Sequence, residues 1–241
     1  MSLFKPQNLT CPSCGQEVTV RVAGSINADR RPDFRQAILD NSFQDTTCAR
    51  CETSFRVQPR FNYLDIENGM WIAAMPGPDM SDYLAIEDSA RATFEGSYGA
   101  SAPQAAQDIG GALNTRLTFG WSAIREKLLI ASLGLDDVVV EQVKLDLLRR
   151  LPDAPLRPGV ELRLVGMEDG RMQFRWLETL GEAGIEQVEL DRSLYDLIAA
   201  DREGWAAITE QLTDGMFVDM QKLYMGQGRE DEEADADPVE G

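Results

Sequence analysis

Cys11-Pro12-Ser13-Cys14-Gly15 and Cys48-Ala49-Arg50-Cys51 are the two stretches whose reading decides the fold of this chain. A CxxC knuckle turns the backbone so that both sulfurs face one point, and two knuckles supply the four thiolates that a tetrahedral Zn²⁺ accepts without strain. Pro12 fixes the first turn, and Gly15 is free to take the positive φ that brings backbone amides close to the sulfurs. Two closed pairs leave no open coordination position. One structural Zn²⁺ on Cys11, Cys14, Cys48 and Cys51 is therefore expected, without a catalytic role. Two rivals use the same residues. A glutaredoxin-like redox site also carries CPxC near the chain start, but it needs a helix directly after the motif to lower the thiol pKa, and here Gly15 and a strand pattern follow. A rubredoxin-like iron site has the same four-sulfur ligand set, which alone separates the two metals poorly.

Outward from the first knuckle, Val18, Val20 and Val22 alternate with polar residues in QEVTVRV, the pattern of a half-buried strand. RRPDFRQAILDNSF, residues 30–43, predicts a short helix with Pro32 and Asp33 at its start. The second knuckle feeds a strand through Phe55 and Val57, and Asn68-Gly69 predicts a hairpin whose second strand runs over Met70–Met75. This first unit is placed at residues 1–78. Residues 79–111, poor in aliphatic clusters and rich in Gly, Ala, Ser and Gln, are read as a linker or extended connection. From Leu113 the pattern turns helical, with Leu117, Trp121, Ile124 and Leu128 three or four apart, and Gly134 supplies a C-cap. Asp136-Asp137 opens a second helix that carries Val139, Val143, Leu147 and Leu151 on one face before Pro152.

Residues 160–190 alternate as three antiparallel strands, with Glu168-Asp169-Gly170 as a turn. Two helical stretches follow, around Leu194–Ala199 and Trp205–Leu212, and GMFVDMQKLYMG predicts a short apolar helix. The second unit is placed at residues 112–228. The remaining residues 229–241 hold one basic and seven acidic residues and read as a disordered acidic tail. The fold class is α+β: a zinc-ribbon-like β module with an inserted helix, then helices with a small antiparallel sheet.

The two knuckles resemble the bacterial CpXC-domain family, named for its CPxC motif. Asn27, Pro32, Leu39, Phe43 and Cys48 are similar to the segment that joins the knuckles in that family, and Glu126–Glu141 resembles its EK(I/L)xI…GLDD…E stretch. Glu52 departs from the pattern, which has glycine after the second knuckle. The likeness covers roughly residues 10–145; it implies a zinc-binding module and a two-part layout, and it supplies no reaction.

The formal net charge is −18, yet residues 1–60 hold eight Lys/Arg against six Asp/Glu, so the rest carries −20. A field of that sign repels nucleic acid and anionic membrane over most of the surface. The chain has no histidine, which removes the commonest general base and the Ser-His and Cys-His nucleophile systems. Arg30, Arg31, Arg35, Arg50, Arg56 and Arg60 offer a basic face for nucleic acid or an acidic partner, or else are solvated arginines paired with Asp29, Asp33 and Glu52; the pairing reading is favoured. Asp136, Asp137 and Glu141 read as a helix start rather than as an acid/base cluster. MSLFKPQNLT lacks the basic start and apolar run of a signal peptide, so a cytoplasmic protein is expected, its cysteines held for metal in a reducing compartment. The expected function is a non-enzymatic adaptor or scaffold that binds another protein. The alternatives are a nucleic-acid- or RNA-polymerase-associated regulator and an enzyme using carboxylates in the second unit.

Overall fold

The structure is a computed structural model that describes residues 2–151, 154, 155, 157 and 159–225. Strands β1 (Leu3–Thr10) and β2 (Glu17–Asn27) form an antiparallel hairpin in which Thr10 pairs with Glu17, so the first knuckle is the hairpin turn itself. Helix α1 (Pro32–Leu39) follows, with Pro32 at its first position, where its missing N–H costs nothing. Strands β3 (Asp45–Thr47) and β4 (Ser54–Arg56) make a second small hairpin that frames the second knuckle in the same way. Next come β5 (Phe61–Asp65) and β6 (Met70–Met75), antiparallel across the expected turn, where Gly69 sits at φ +61°.

Residues 79–111 are not an extended connection. They carry helix α2 (Tyr83–Tyr98) and helix α3 (Gln104–Gly110). The aliphatic clusters that would have announced a helix are absent because α2 packs through Tyr83, Ala90 and aromatic contacts, with Phe94 5.3 Å from Trp71 and 5.2 Å from Tyr98. These helices form the crossover that a parallel strand pair requires. Strand β7 (Asn114–Phe119) lies parallel to β6, giving a five-stranded sheet in the order β1-β2-β5-β6-β7. The helix expected from Leu113 thus begins only at Trp121. Leu117 fits both periods, and Gly120 at φ +84° breaks the strand from helix α4 (Trp121–Ser132).

Gly134 at φ +64° ends that turn, and Asp136 caps helix α5 (Asp137–Arg150), its carboxylate accepting from the Val138 N–H at 2.8 Å and the Val139 N–H at 3.4 Å. The meander forms as the alternation requires: β8 (Val160–Glu168), β9 (Arg171–Glu178) and β10 (Gly184–Asp191), with Asp169 and Gly170 both at positive φ in the first turn. Helices α6 (Arg192–Ala200) and α7 (Ala206–Thr213) follow. The stretch GMFVDMQKLYMG differs from expectation: only Met220–Leu223 forms a single 3₁₀ turn, while Met216, Phe217 and Val218 are buried outside any helix or strand, the Leu117 N–H donating to the Met216 carbonyl at 2.8 Å. An apolar run this short satisfies either period, and the edge of β7 decides. The expected acidic tail, residues 229–241, and Pro152 lie outside the described residues. Trp71, Trp121, Trp176 and Trp205 are all buried.

Candidate metal centre

Each knuckle is held by the same two backbone bonds. The Gly15 N–H donates to the Cys11 carbonyl at 3.0 Å and the Cys11 N–H to the Gln16 carbonyl at 2.8 Å; the Glu52 N–H donates to Cys48 at 2.8 Å and the Cys48 N–H to Thr53 at 3.0 Å. Both turns need a left-handed residue after the second cysteine. Gly15 takes φ +69°, and Glu52, in place of the glycine of the family pattern, takes φ +56°. The second knuckle is therefore as tight as the first, at the cost of forcing a Cβ into the left-handed region.

The two hairpin turns bring all four Sγ atoms within 4.8 Å of one another. Cys11 and Cys51 are 3.6 Å apart and Cys14 and Cys48 3.7 Å. A zinc–sulfur bond of about 2.3 Å places tetrahedral sulfurs about 3.8 Å apart, so these separations fit a thiolate-bound metal. Cys11 and Cys48 are buried, and Cys14 and Cys51 are partly exposed. The Thr53 hydroxyl, 3.3 Å from the Cys51 sulfur, and the Thr53 backbone draw that thiol down to about 6. Backbone groups of Cys51 and Arg50 lower Cys48. The Gln16 backbone works in the same sense on Cys14, but burial and the three other sulfurs outweigh it and push that thiol up to about 11. Four sulfurs so close cannot all ionise without a cation among them, which is the chemistry a divalent metal supplies.

A four-cysteine module built on two β-hairpin turns, with its sulfurs close enough to hold a metal ion, is the class these features define. The family model for CpXC proteins matches residues 9–144, and the chain belongs to that family. No curated protein and no solved structure matches it.

The arginine face is largely paired, with partners other than those expected. Arg31 meets Asp33 at 2.6 Å, as anticipated, but Arg35 holds Asp65 at 2.7 Å and Arg60 holds Asp79 at 2.8 Å. Asp29 instead accepts the Ile66 and Glu67 N–H groups at 3.0 and 2.9 Å. Arg56 lies 4.4 Å from the Trp121 ring centroid, donates to the Phe43 carbonyl at 2.8 Å and faces Glu182 at 3.5 Å, tying the second knuckle hairpin to α4 and to the β9–β10 turn.

The feature that sequence reasoning missed lies where α4, α5, β8 and the Met216–Met220 segment meet. Glu126, Lys127, Glu141, Lys144, Glu161, Arg163 and Asp219 are all buried there. The Lys144 ammonium sits 2.8 Å from Glu126 and 3.0 Å from Glu141; Arg163 donates to Glu126 at 3.0 Å, Asp219 at 2.6 Å and Glu161 at 2.7 Å. Lys127 bonds Asp137 at 2.8 Å and the Val218 carbonyl at 2.7 Å, while Arg116 grips Asp137 through two N–H groups. Burial disfavours every one of these charges, but Lys144 and Arg163 hold the Glu126 carboxyl below its ordinary range, and Arg163 and Lys144 bring Asp219 down to about 2. Glu141 is raised, because burial and the nearby Asp219 and Glu126 outweigh its two lysines. Asp136 caps the helix as expected, but Asp137 and Glu141 belong to this network. The available signal was the placement of Glu141 and Lys144 between Val140, Val143 and Leu147, where an amphipathic helix should be apolar.

Proposed function

We propose that this protein is a non-enzymatic adaptor or scaffold whose zinc, held by Cys11, Cys14, Cys48 and Cys51, rigidifies a small β module that binds another protein in a reducing cytoplasm. The observation that carries the metal reading is the closed sulfur tetrad at tetrahedral spacing. With all four positions taken by sulfur, the metal's contribution is mechanical. It ties the β1–β2 hairpin to the β3–β4 hairpin, two elements too small to bury a core of their own.

A carboxylate enzyme is the less favoured reading. A cleft of about 570 Å³ between the β6–β7 edge and the start of α5 does hold Arg116, Lys127, Asp137 and Tyr195. Of the two carboxylates that line it, however, Asp136 is engaged in capping α5, and Asp137 is shared between two cations and held low, mainly by Lys127 and Arg116 acting against burial, which is the opposite of the tuning a general acid or base needs near neutral pH. A nucleic-acid regulator is less favoured again, because Arg31, Arg35 and Arg60 are already spent on carboxylates. Elemental analysis of the purified chain and thermal melting with and without a strong chelator test the metal: about one zinc per chain and a melt lowered by chelation are expected. A metal-free protein that melts identically with chelator would refute it. Affinity capture with and without chelator then tests the adaptor role, which fails if every recovered partner is indifferent to metal removal.

A further inference from the structure

The four sulfurs are not equivalent. Two contacts cross between the knuckles, and each joins a buried cysteine to a partly exposed one: Cys11 with Cys51 at 3.6 Å, and Cys48 with Cys14 at 3.7 Å. In each pair one cysteine is partly exposed and its neighbour is buried, as reactive and resolving cysteines are arranged in redox-sensing sites. The sulfurs need close by only about 1.6 Å to reach a disulfide length of about 2.05 Å. We propose that the centre is a peroxide-responsive modification site in which oxidation expels the metal and leaves two cross-knuckle disulfides, Cys11–Cys51 and Cys14–Cys48. This rests on the zinc reading given above.

The chemistry balances as follows. Hydrogen peroxide converts the outer thiolate, Cys51 or Cys14, to a sulfenic acid and leaves as hydroxide. The buried thiolate, Cys11 or Cys48, attacks that sulfur, forms the S–S bond and displaces a second hydroxide. Over both pairs, two peroxides are reduced, four thiolates are oxidised, four hydroxides depart and one Zn²⁺ is released. The choice of partner decides the outcome for the fold. Disulfides within each CxxC would leave the two hairpins untethered once the metal is gone. Cross-knuckle disulfides join residues 40 and 34 positions apart and so keep the hairpins tied, each closing a long loop of the unfolded chain. The oxidised, metal-free module then stays folded, whereas the reduced, metal-free module does not.

The test uses the purified full chain. Its zinc is first quantified; hydrogen peroxide is then added stepwise while free zinc is read with a chromogenic chelator, and disulfides are mapped by non-reducing peptide mass spectrometry. Zinc release should parallel formation of the 11–51 and 14–48 linkages. The oxidised protein should also melt above the reduced protein treated with chelator, and dithiothreitol with added zinc should restore the starting state. Linkages 11–14 and 48–51, sulfinic acids in place of disulfides, or zinc retained under excess peroxide would each overturn the proposal. If the chain is purified without zinc, the metal reading fails, but peptide mapping of that protein still decides the pairing.

Discussion

Lys144→Met removes a buried ammonium while keeping most of the side-chain volume, and the structure sets the size of its effect. Lys144 is fully buried and touches Glu126 at 2.8 Å and Glu141 at 3.0 Å. At an effective dielectric of about 20, each contact is a gross attraction of roughly 5–6 kcal/mol, much of it offset by the several kcal/mol that dehydrating the ammonium costs. What decides the result is the state of the two carboxylates left behind. Glu126 keeps Arg163 and the Leu164 N–H, but among the described residues Glu141 retains only Lys127 at 3.5 Å and the Met220 N–H at 3.0 Å. Breaking a buried pair from one side costs about 3–5 kcal/mol, so that loss is expected here. In urea titration the midpoint should fall with the slope unchanged, and the melting temperature should drop by roughly 6–20 °C at about 2–4 °C per kcal/mol. Lys144→Met combined with Glu141→Gln should recover part of the loss, because the stranded charge is gone. A single-variant cost below about 1 kcal/mol, or a double variant no better than the single, would refute the claim that these groups are charged and mutually dependent.

Other perturbations follow from the same geometry. Glu52→Gly relieves a side chain held at φ +56° and should stabilise the metal-loaded chain by about 0.5–1 kcal/mol in chemical denaturation; a destabilised variant would show that the Glu52 side chain contributes something the strain does not outweigh. Acid should unfold the protein through Glu126, Asp137 and Asp219, whose folded pKa values are depressed. Such groups stabilise above their unfolded pKa, and for Asp219 the contribution is lost between about pH 4 and its folded value of about 2. Glu141, raised by burial, acts in the opposite sense, its contribution falling as pH rises through its folded pKa. Circular dichroism against pH checks this, and a midpoint unchanged down to pH 2 would contradict it.

Legibility in the sequence followed how local the determining contacts are. The knuckles, the Asn68-Gly69 hairpin, the Asp136 cap and the β8–β10 meander depend on residues a few positions apart, and the one-dimensional pattern carries them. Helix α2 was hidden because its buried side is made of tyrosine, alanine and a glutamate that accepts from the Met216 N–H, which composition alone reads as polar linker. Strand β7 was hidden because its partner β6 is parallel and separated by two helices, so nothing nearby in the sequence favours a strand over a helix. The gathering of the four cysteines was readable, since two CxxC pairs announce it by residue type and spacing. The buried charges were not, because Glu126-Lys127 and Glu141…Lys144 look like solvated helix positions until their partners Arg163 and Asp219 arrive from β8 and the segment after α7.

The same partners bear on where the family's structural unit ends. The family match stops at residue 144, inside α5. Yet Glu126 needs Arg163, Lys127 needs the Val218 carbonyl, Glu141 needs the Met220 N–H and Glu87 needs the Met216 N–H. Cutting after residue 144 would leave four buried charges each short of a partner, and would strip Met216 and Phe217 from Leu117 and Phe119 of β7. Losing an ion-pair partner costs about 3–5 kcal/mol and losing a backbone partner about 1–3, so the four together are comparable with the 5–15 kcal/mol by which whole domains are stable. A zinc-loaded fragment of residues 1–144 is therefore expected to keep its metal, because the knuckles are held by their own backbone bonds even when Arg56 loses Glu182, while losing cooperative melting in the β5–β7 and α4–α5 region. Hydrogen exchange would resolve the two halves of that expectation. Slow exchange across β6, β7 and α4 in the fragment would mean that the matched region folds alone and that the charges of residues 126–141 find their partners among themselves.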